Sequence, residues 1–238
     1  MIRTYAVAIC ALIVFGVPGR AQTPAPHETE ARVPELDRFH ATIYKIWHTA
    51  WPNKDAAMLT ALLPDVERGA SSVAAVTLPG ILREKETAWK SGVVKLQECV
   101  RGYSAAAAAG DSTALLAAAE KLHSQYEALV RTIRPVLKEV GAFHEVLYVL
   151  YHYHVPAFAM DSIVTSARVL EERMSALDAA VLPARLQTNQ EPFTSARAAL
   201  SKAVGEFGAA VKTGDRKKIT DAMNVLHSAY QALERVFD

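Results

Sequence analysis

The sequence predicts an all-α protein made of two tandem up-down-up-down four-helix bundles. Three observations lead there. Apolar residues recur at helical spacing along most of the chain, alternating β-branched runs with turn pairs are absent, and the sequence matches itself at a shift of 104 residues. In that register Phe39-His40 falls on Phe143-His144, Tyr44 on Tyr148, His48 on His152, and Pro52 on Pro156. Further along, Leu78-Pro79 falls on Leu182-Pro183, Gly110-Asp111 on Gly214-Asp215, and Leu122-His123-Ser124-x-Tyr126 on Leu226-His227-Ser228-x-Tyr230. Each copy is the length of one small domain.

Residues 1–21 read as a secretory signal peptide: Arg3, an apolar run from Ala6 to Phe15, then Gly19-Arg20-Ala21 as a small-x-small cleavage site. The run is too short to span a membrane, and no later stretch is long and uncharged enough to do so. Residues 22–34, rich in Pro, Ala, Thr and Glu without a period, read as a flexible leader. The first bundle is expected over 35–133 and the second over 139–238, with Pro135 breaking the chain near the junction.

Within each copy the first helix carries Leu36, Phe39, Ile43, Ile46 and Trp47, answered by Phe143, Leu147, Leu150 and Tyr151. Pro52 and Pro156 end or sharply redirect it. A second helix runs to about Val76 and Ala180, and Pro64 bends it in the first copy alone. After the Leu-Pro turns a long third helix runs to about Ala109 and Thr213. Gly110 and Gly214 suit a left-handed position, and Asp111 and Asp215 suit N-caps of the fourth helix. That helix shows one apolar stripe, from Leu115 through Tyr126 to Ile133 and from Ile219 through Tyr230 to Phe237.

Composition narrows the chemistry. An apolar share of 51% is ample for two packed cores. The formal charge of +1 becomes about −1 once Arg3 and Arg20 leave with the signal, so nothing draws the chain to nucleic acid or an anionic membrane surface. Cys99 is then the lone thiol and its counterpart is Ala203, which leaves packing rather than a disulfide to hold an exported, periplasmic or secreted protein. The sequence names no protein partner.

Six of the eight histidines recur in register. His40, Tyr44 and His48 are spaced i, i+4, i+8, so they form a ladder on the helix side bordering the apolar stripe, and His144, Tyr148 and His152 repeat it. His40 and His48 lie about 12 Å apart along a straight helix, too far to share one ion at bonds of about 2.1 Å. Counting from the shared end of the first and fourth helices places His40 about 7 Å in, His123 about 15 Å and His48 about 20 Å. The expected metal site is therefore His48 with His123 and Tyr44 between them, repeated as His152 with His227 and Tyr148; His40 and His144 are outlying candidates. Glu67 and Glu171 recur on the second helix, where each can serve the histidines or pair with Arg131 and Arg235 at the bundle end.

Histidine with tyrosine and carboxylate suits Zn, Cu(II) or Ni, one ion per bundle, for sequestration, delivery or sensing. No recurring general base stands out, so the pattern argues for binding rather than catalysis. Glu120-x-x-His123 matches half of a di-iron carboxylate pair, but Asn224 replaces the glutamate in the second copy. Two further readings stay open: a b-type haem protein in electron transfer or gas binding, and a structural or protein-interaction module in which histidine and tyrosine form a hydrogen-bond network.

The helix order, the Gly-Asp turn and the aromatic-ending last helix, as in Leu226-His227-Ser228-Ala229-Tyr230-Gln231-Ala232-Leu233-Glu234-Arg235-Val236-Phe237, resemble the cytochrome c-prime and soluble periplasmic cytochrome b type of four-helix bundle, in tandem. The resemblance implies a bundle fold and an exported location. It comes without the Cys-x-x-Cys-His attachment motif and without a repeated helix-one methionine, both of which those haem sites use.

Overall fold

A computed structural model describes residues 24–135 and 137–237, and every regular element among them is helical. The signal segment, residues 1–21, lies outside the described residues. The first half contains α1 (Pro34–Lys45), α2 (Ala56–Ala61), α3 (Leu63–Ala74), α4 (Glu86–Ala109) and α5 (Ser112–Ile133). The second contains α6 (Lys138–Val149), the single turn α7 (Val155–Ala157), α8 (Met160–Asp178), α9 (Gln190–Thr213) and α10 (Arg216–Glu234). No helix among the described residues is long and apolar enough to cross a membrane.

Local chemistry accounts for most of the boundaries. Gly110 and Gly214 both take φ 66°, closing α4 and α9 in the left-handed region that only glycine enters without cost. The Asp111 and Asp215 side chains then accept from the Ala114 and Lys218 amides, capping α5 and α10. Pro64 lies in the first turn of α3, where its missing N–H does no harm, and the second helix of this half is split at Leu62. Arg168 stands there in the second half, and α8 runs unbroken.

Pro52 and Pro156 do more than stop a helix. Continuing α1 or α6 as an α-helix would drive the proline ring into the carbonyl of the residue four before it. Instead the chain widens into π-helical turns over Ile46–Ala50 and Leu150–His154, with Trp51 N–H donating to the Ile46 carbonyl at 2.8 Å. Lys54 and Phe158 then turn the chain at φ 52° and 51°. The third helices also differ from expectation at their start. Six residues of 3-10 helix, Gly80–Lys85 and Ala184–Asn189, precede α4 and α9.

The apolar residues form two cores. In the first, α1 packs on α3, α3 on α4, α4 on α5, and α5 returns to α1. In the second, α6 packs on α8, α8 on α9, and α9 on α10, while Phe143 and His144 meet Tyr230. Buried tyrosine tips are satisfied within the first half: Tyr103 donates to the Leu59 carbonyl at 2.7 Å and Tyr126 to the Leu36 carbonyl at 3.1 Å. Residues of the second half cross over, Val149 and Tyr153 packing against the first core. Tyr148, on α6, is buried as part of the first core.

Candidate functional site

The aromatic and imidazole rings of the two halves contact one another in the same pairs. His123 stacks on Trp47 at 4.1 Å between centroids, and His227 stacks on Tyr151 at 4.0 Å. Tyr44 meets His48 at 4.5 Å, and Tyr148 meets His152 at 4.7 Å. His40 lies over Tyr126 at 5.9 Å, and His144 lies closer over Tyr230 at 4.6 Å. One aromatic residue of each π-helical stretch, Trp47 or Tyr151, thus reaches the fourth helix of its half.

The surroundings of the two sets differ. In the first half His40 and His48 are exposed, Tyr44 is 53% exposed, and only His123 is half-buried against Trp47. Burial holds His123 below the usual imidazole range, with Glu127 opposing and His48 and His40 contributing repulsion, which places it within the field of both. In the second half the same face is covered. The 3-10 turn Gly80–Lys85 and Glu28 lie over it, and Tyr148 is only 2% exposed.

Three residues in that cover supply charge. The Tyr148 hydroxyl donates to Glu28 Oε1 at 2.7 Å and accepts from the Arg83 guanidinium. Hydroxyl bonds from Tyr153 and Tyr148 hold the Glu28 carboxyl below the ordinary range. Arg83 Nη1 also lies 3.4 Å from His152 Nδ1. Since guanidinium can only donate, His152 Nδ1 is the acceptor and its proton sits on Nε2. Burial first, then Arg83 and His227, push the His152 pKa down to about 4.

Glu84 is the third. His227 Nε2 lies 3.2 Å from Glu84 Oε1, which also accepts from Gln231 Nε2 at 2.9 Å. The His227 bond leads in lowering the Glu84 carboxyl to about 2, against the opposing cost of burial. The His152 and His227 ring centroids stand 6.4 Å apart. His144 is separate. It stacks on Tyr230, and burial pushes its pKa to about 4.

Of the pairs expected from sequence, His152, in the π-helical stretch after α6, and His227, on α10, are therefore brought into ring contact. Tyr148 stands beside them with its hydroxyl directed to Glu28 and Arg83 instead. His40, Tyr44 and His48 lie together on the surface, and Glu67 is exposed, with no ion pair to Arg131 among the described residues. Glu171 approaches Gly208, where an added Cβ would stand 2.9 Å from its carboxylate. Among the described residues no group of three or more His, Cys, Asp or Glu side chains is already placed to hold a metal ion.

Glu28, Arg83 and Glu84 were not foreseeable from the repeat, because their role arises where the halves meet. Positions 187 and 188, the counterparts of Arg83 and Glu84, hold Gln187 and Thr188. The one local signal is Gly80, whose counterpart is Ala184. A Cβ on Gly80 would overlap the Tyr148 hydroxyl and the Glu28 side chain, so glycine marks the close approach. No protein-family model, no curated protein and no solved structure matches this chain.

Proposed function

We propose that this chain is an exported, periplasmic or secreted protein of two four-helix bundles descended from one duplicated segment, and that it holds a transition-metal ion in its second half. The ligands are His227, Glu84 and His152, and the role is sequestration, delivery or sensing of Zn, Cu(II) or Ni. The offset of 104 residues between the ends of α1 and α6, α4 and α9, and the two π-helical stretches supports the duplication.

The observation that carries the metal reading is the separation of 3.2 Å between His227 Nε2 and Glu84 Oε1. Two ligands on a tetrahedral ion with bonds near 2.1 Å stand about 3.4 Å apart, so an ion can replace the shared proton with little movement. His152 has further to come. Two imidazoles on one ion hold their centroids roughly 5.3 Å apart in tetrahedral geometry and at most about 6.5 Å, against 6.4 Å here. A swing of about 1 Å, releasing Arg83, completes three ligands. The π-helical turn carrying His152 supports this, since such wide turns recur at functional sites.

A second reading has its own support. The Glu28, Tyr148, Arg83 and His152 bonds and the Glu84, His227 and Gln231 bonds form a satisfied network, as expected of a structural clamp between the halves. A b-type haem, as in the proteins this chain resembles, is the third. Absorption and metal analysis of the purified protein separate them. One bound equivalent of Zn, Cu or Ni with no Soret band supports the first, and a Soret band selects haem. A colourless protein that takes up none of the three ions on titration leaves the clamp.

A further inference from the structure

A cleft of about 690 Å³ lies between the two halves, lined by residues of both and by Glu30, Ala31 and Arg32 of the leader. We propose that it binds an amphipathic organic carboxylate, with the apolar body inside and the carboxylate at the mouth near Arg131. Its volume is that of an ordinary small-molecule site. The inner wall is apolar, formed by Ile81 and Leu82 of the 3-10 turn, Ile133, Val140, Tyr230 and Phe237. Both halves contribute, so the cavity exists only because the halves pack as they do.

Two independent features point to a ligand. The first is His144. It is half-buried and stacked on Tyr230, yet no hydrogen bond among the described residues engages its ring nitrogens. Among the described residues no side-chain nitrogen or oxygen is sealed in protein without a partner, so those nitrogens open onto the cleft that His144 lines. A neutral imidazole there can accept from, or donate to, a polar group on the ligand body.

The second is the charge at the mouth. Two of the four acids of the lining are engaged, Glu84 by His227 and Gln231 and Glu234 by Lys85 at 3.8 Å, which leaves Glu30 and Glu145 against three cations and five cations in all against four acids. The cations flanking the connector between the halves are less engaged. Arg131 is exposed and enters no ion pair among the described residues. Arg134 reaches Asp37 only at 4.0 Å, and that carboxylate is already held by Arg32 at 3.0 Å. Lys138, 93% exposed, has only its neighbour Glu139 at 3.8 Å. Positive charge over an apolar interior selects an amphiphile with an anionic head.

The test is displacement of the fluorescent probe 11-(dansylamino)undecanoate from the purified full chain. Decanoate should compete at least tenfold better than decanol or decylamine. The surface change Arg131→Glu, with the fold checked by circular dichroism, should weaken decanoate at least fivefold, and Phe237→Ala should weaken probe and competitor together. His144→Phe, which keeps an aromatic ring and removes the polar nitrogens, should lower affinity for a hydroxylated chain such as 10-hydroxydecanoate more than for decanoate. Failure of the probe to bind, equal competition by decylamine, or decanoate affinity unchanged by Arg131→Glu overturns the proposal. None of these outcomes depends on metal uptake.

Discussion

Glu84 and His227 come from opposite halves of the chain and meet at 3.2 Å. The carboxylate lies in the 3-10 turn that precedes α4, and the imidazole lies on α10, so a contact between halves sits inside the histidine cluster of the second one. It converts one of two similar ring clusters into a covered, charged site. The other cluster keeps its rings and remains open to solvent. Stability, pH response and binding should therefore differ between the halves in ways that separate variants can read.

The close approach at Gly80 gives a first difference. A methyl group there would overlap the Tyr148 hydroxyl and Glu28, displacing the turn that covers the second half's histidines. Gly80→Ala should destabilise the protein by about 1–3 kcal/mol, the range for overpacking a tight contact. Ala184→Gly, at the exposed counterpart position, should change stability by less than about 1 kcal/mol. Thermal unfolding of the two variants checks this, and equal melting temperatures would remove the turn from the account.

Acid should weaken the fold in a defined window. Burial lowers both His144 and His152 from an ordinary 6.5 to about 4, so the unfolded chain binds more protons between those values. Stability is then complete above about pH 6.5 and falls as pH drops toward 4. Glu84, lowered from 4.5 to about 2, acts at lower pH, with stability lost below about 4.5. His144→Phe should remove most of one histidine's contribution, on the order of 2–3 kcal/mol between pH 6.5 and 4. Urea unfolding at pH 7 and pH 5 measures it; a pH slope unchanged by the substitution would contradict the burial argument.

Arg83 opposes a cation at its own site. Its guanidinium lies 3.4 Å from the His152 nitrogen that must turn to a metal. Arg83→Ala should therefore tighten Zn binding by about tenfold, equivalent to roughly 1.4 kcal/mol, through loss of repulsion and release of His152. Weaker binding in that variant would show that the turn's packing matters more than its charge.

Short-range chemistry was readable in advance. The Gly-Asp pairs, the break at Pro64, the redirection at Pro52 and Pro156, and the apolar stripes running through Tyr126 and Tyr230 all depend on residues within a few positions of one another. Asp111→Ala and Asp215→Ala should accordingly cost about 1 kcal/mol each by loss of a cap, measurable by chemical denaturation. The π-helical widening was not read, because periodicity at i, i+4, i+8 is the same whether or not one extra residue enters the turn after Lys45. The charged cover was hidden for a different reason. Comparing the halves highlights positions they share, and Glu28, Arg83 and Glu84 matter through a contact that only one half receives. The leader likewise read as featureless, although Val33 is buried and Glu28 holds Tyr148.

The most direct test of the central claim is calorimetric titration of the purified protein with Zn, run alongside Glu84→Ala, His227→Ala and His123→Ala. The parent protein should show one tight equivalent, lost or weakened at least a hundredfold in the first two variants and retained in the third. Absence of a tight site in the parent, or a site that survives Glu84→Ala and His227→Ala but disappears with His123→Ala, would contradict the claim.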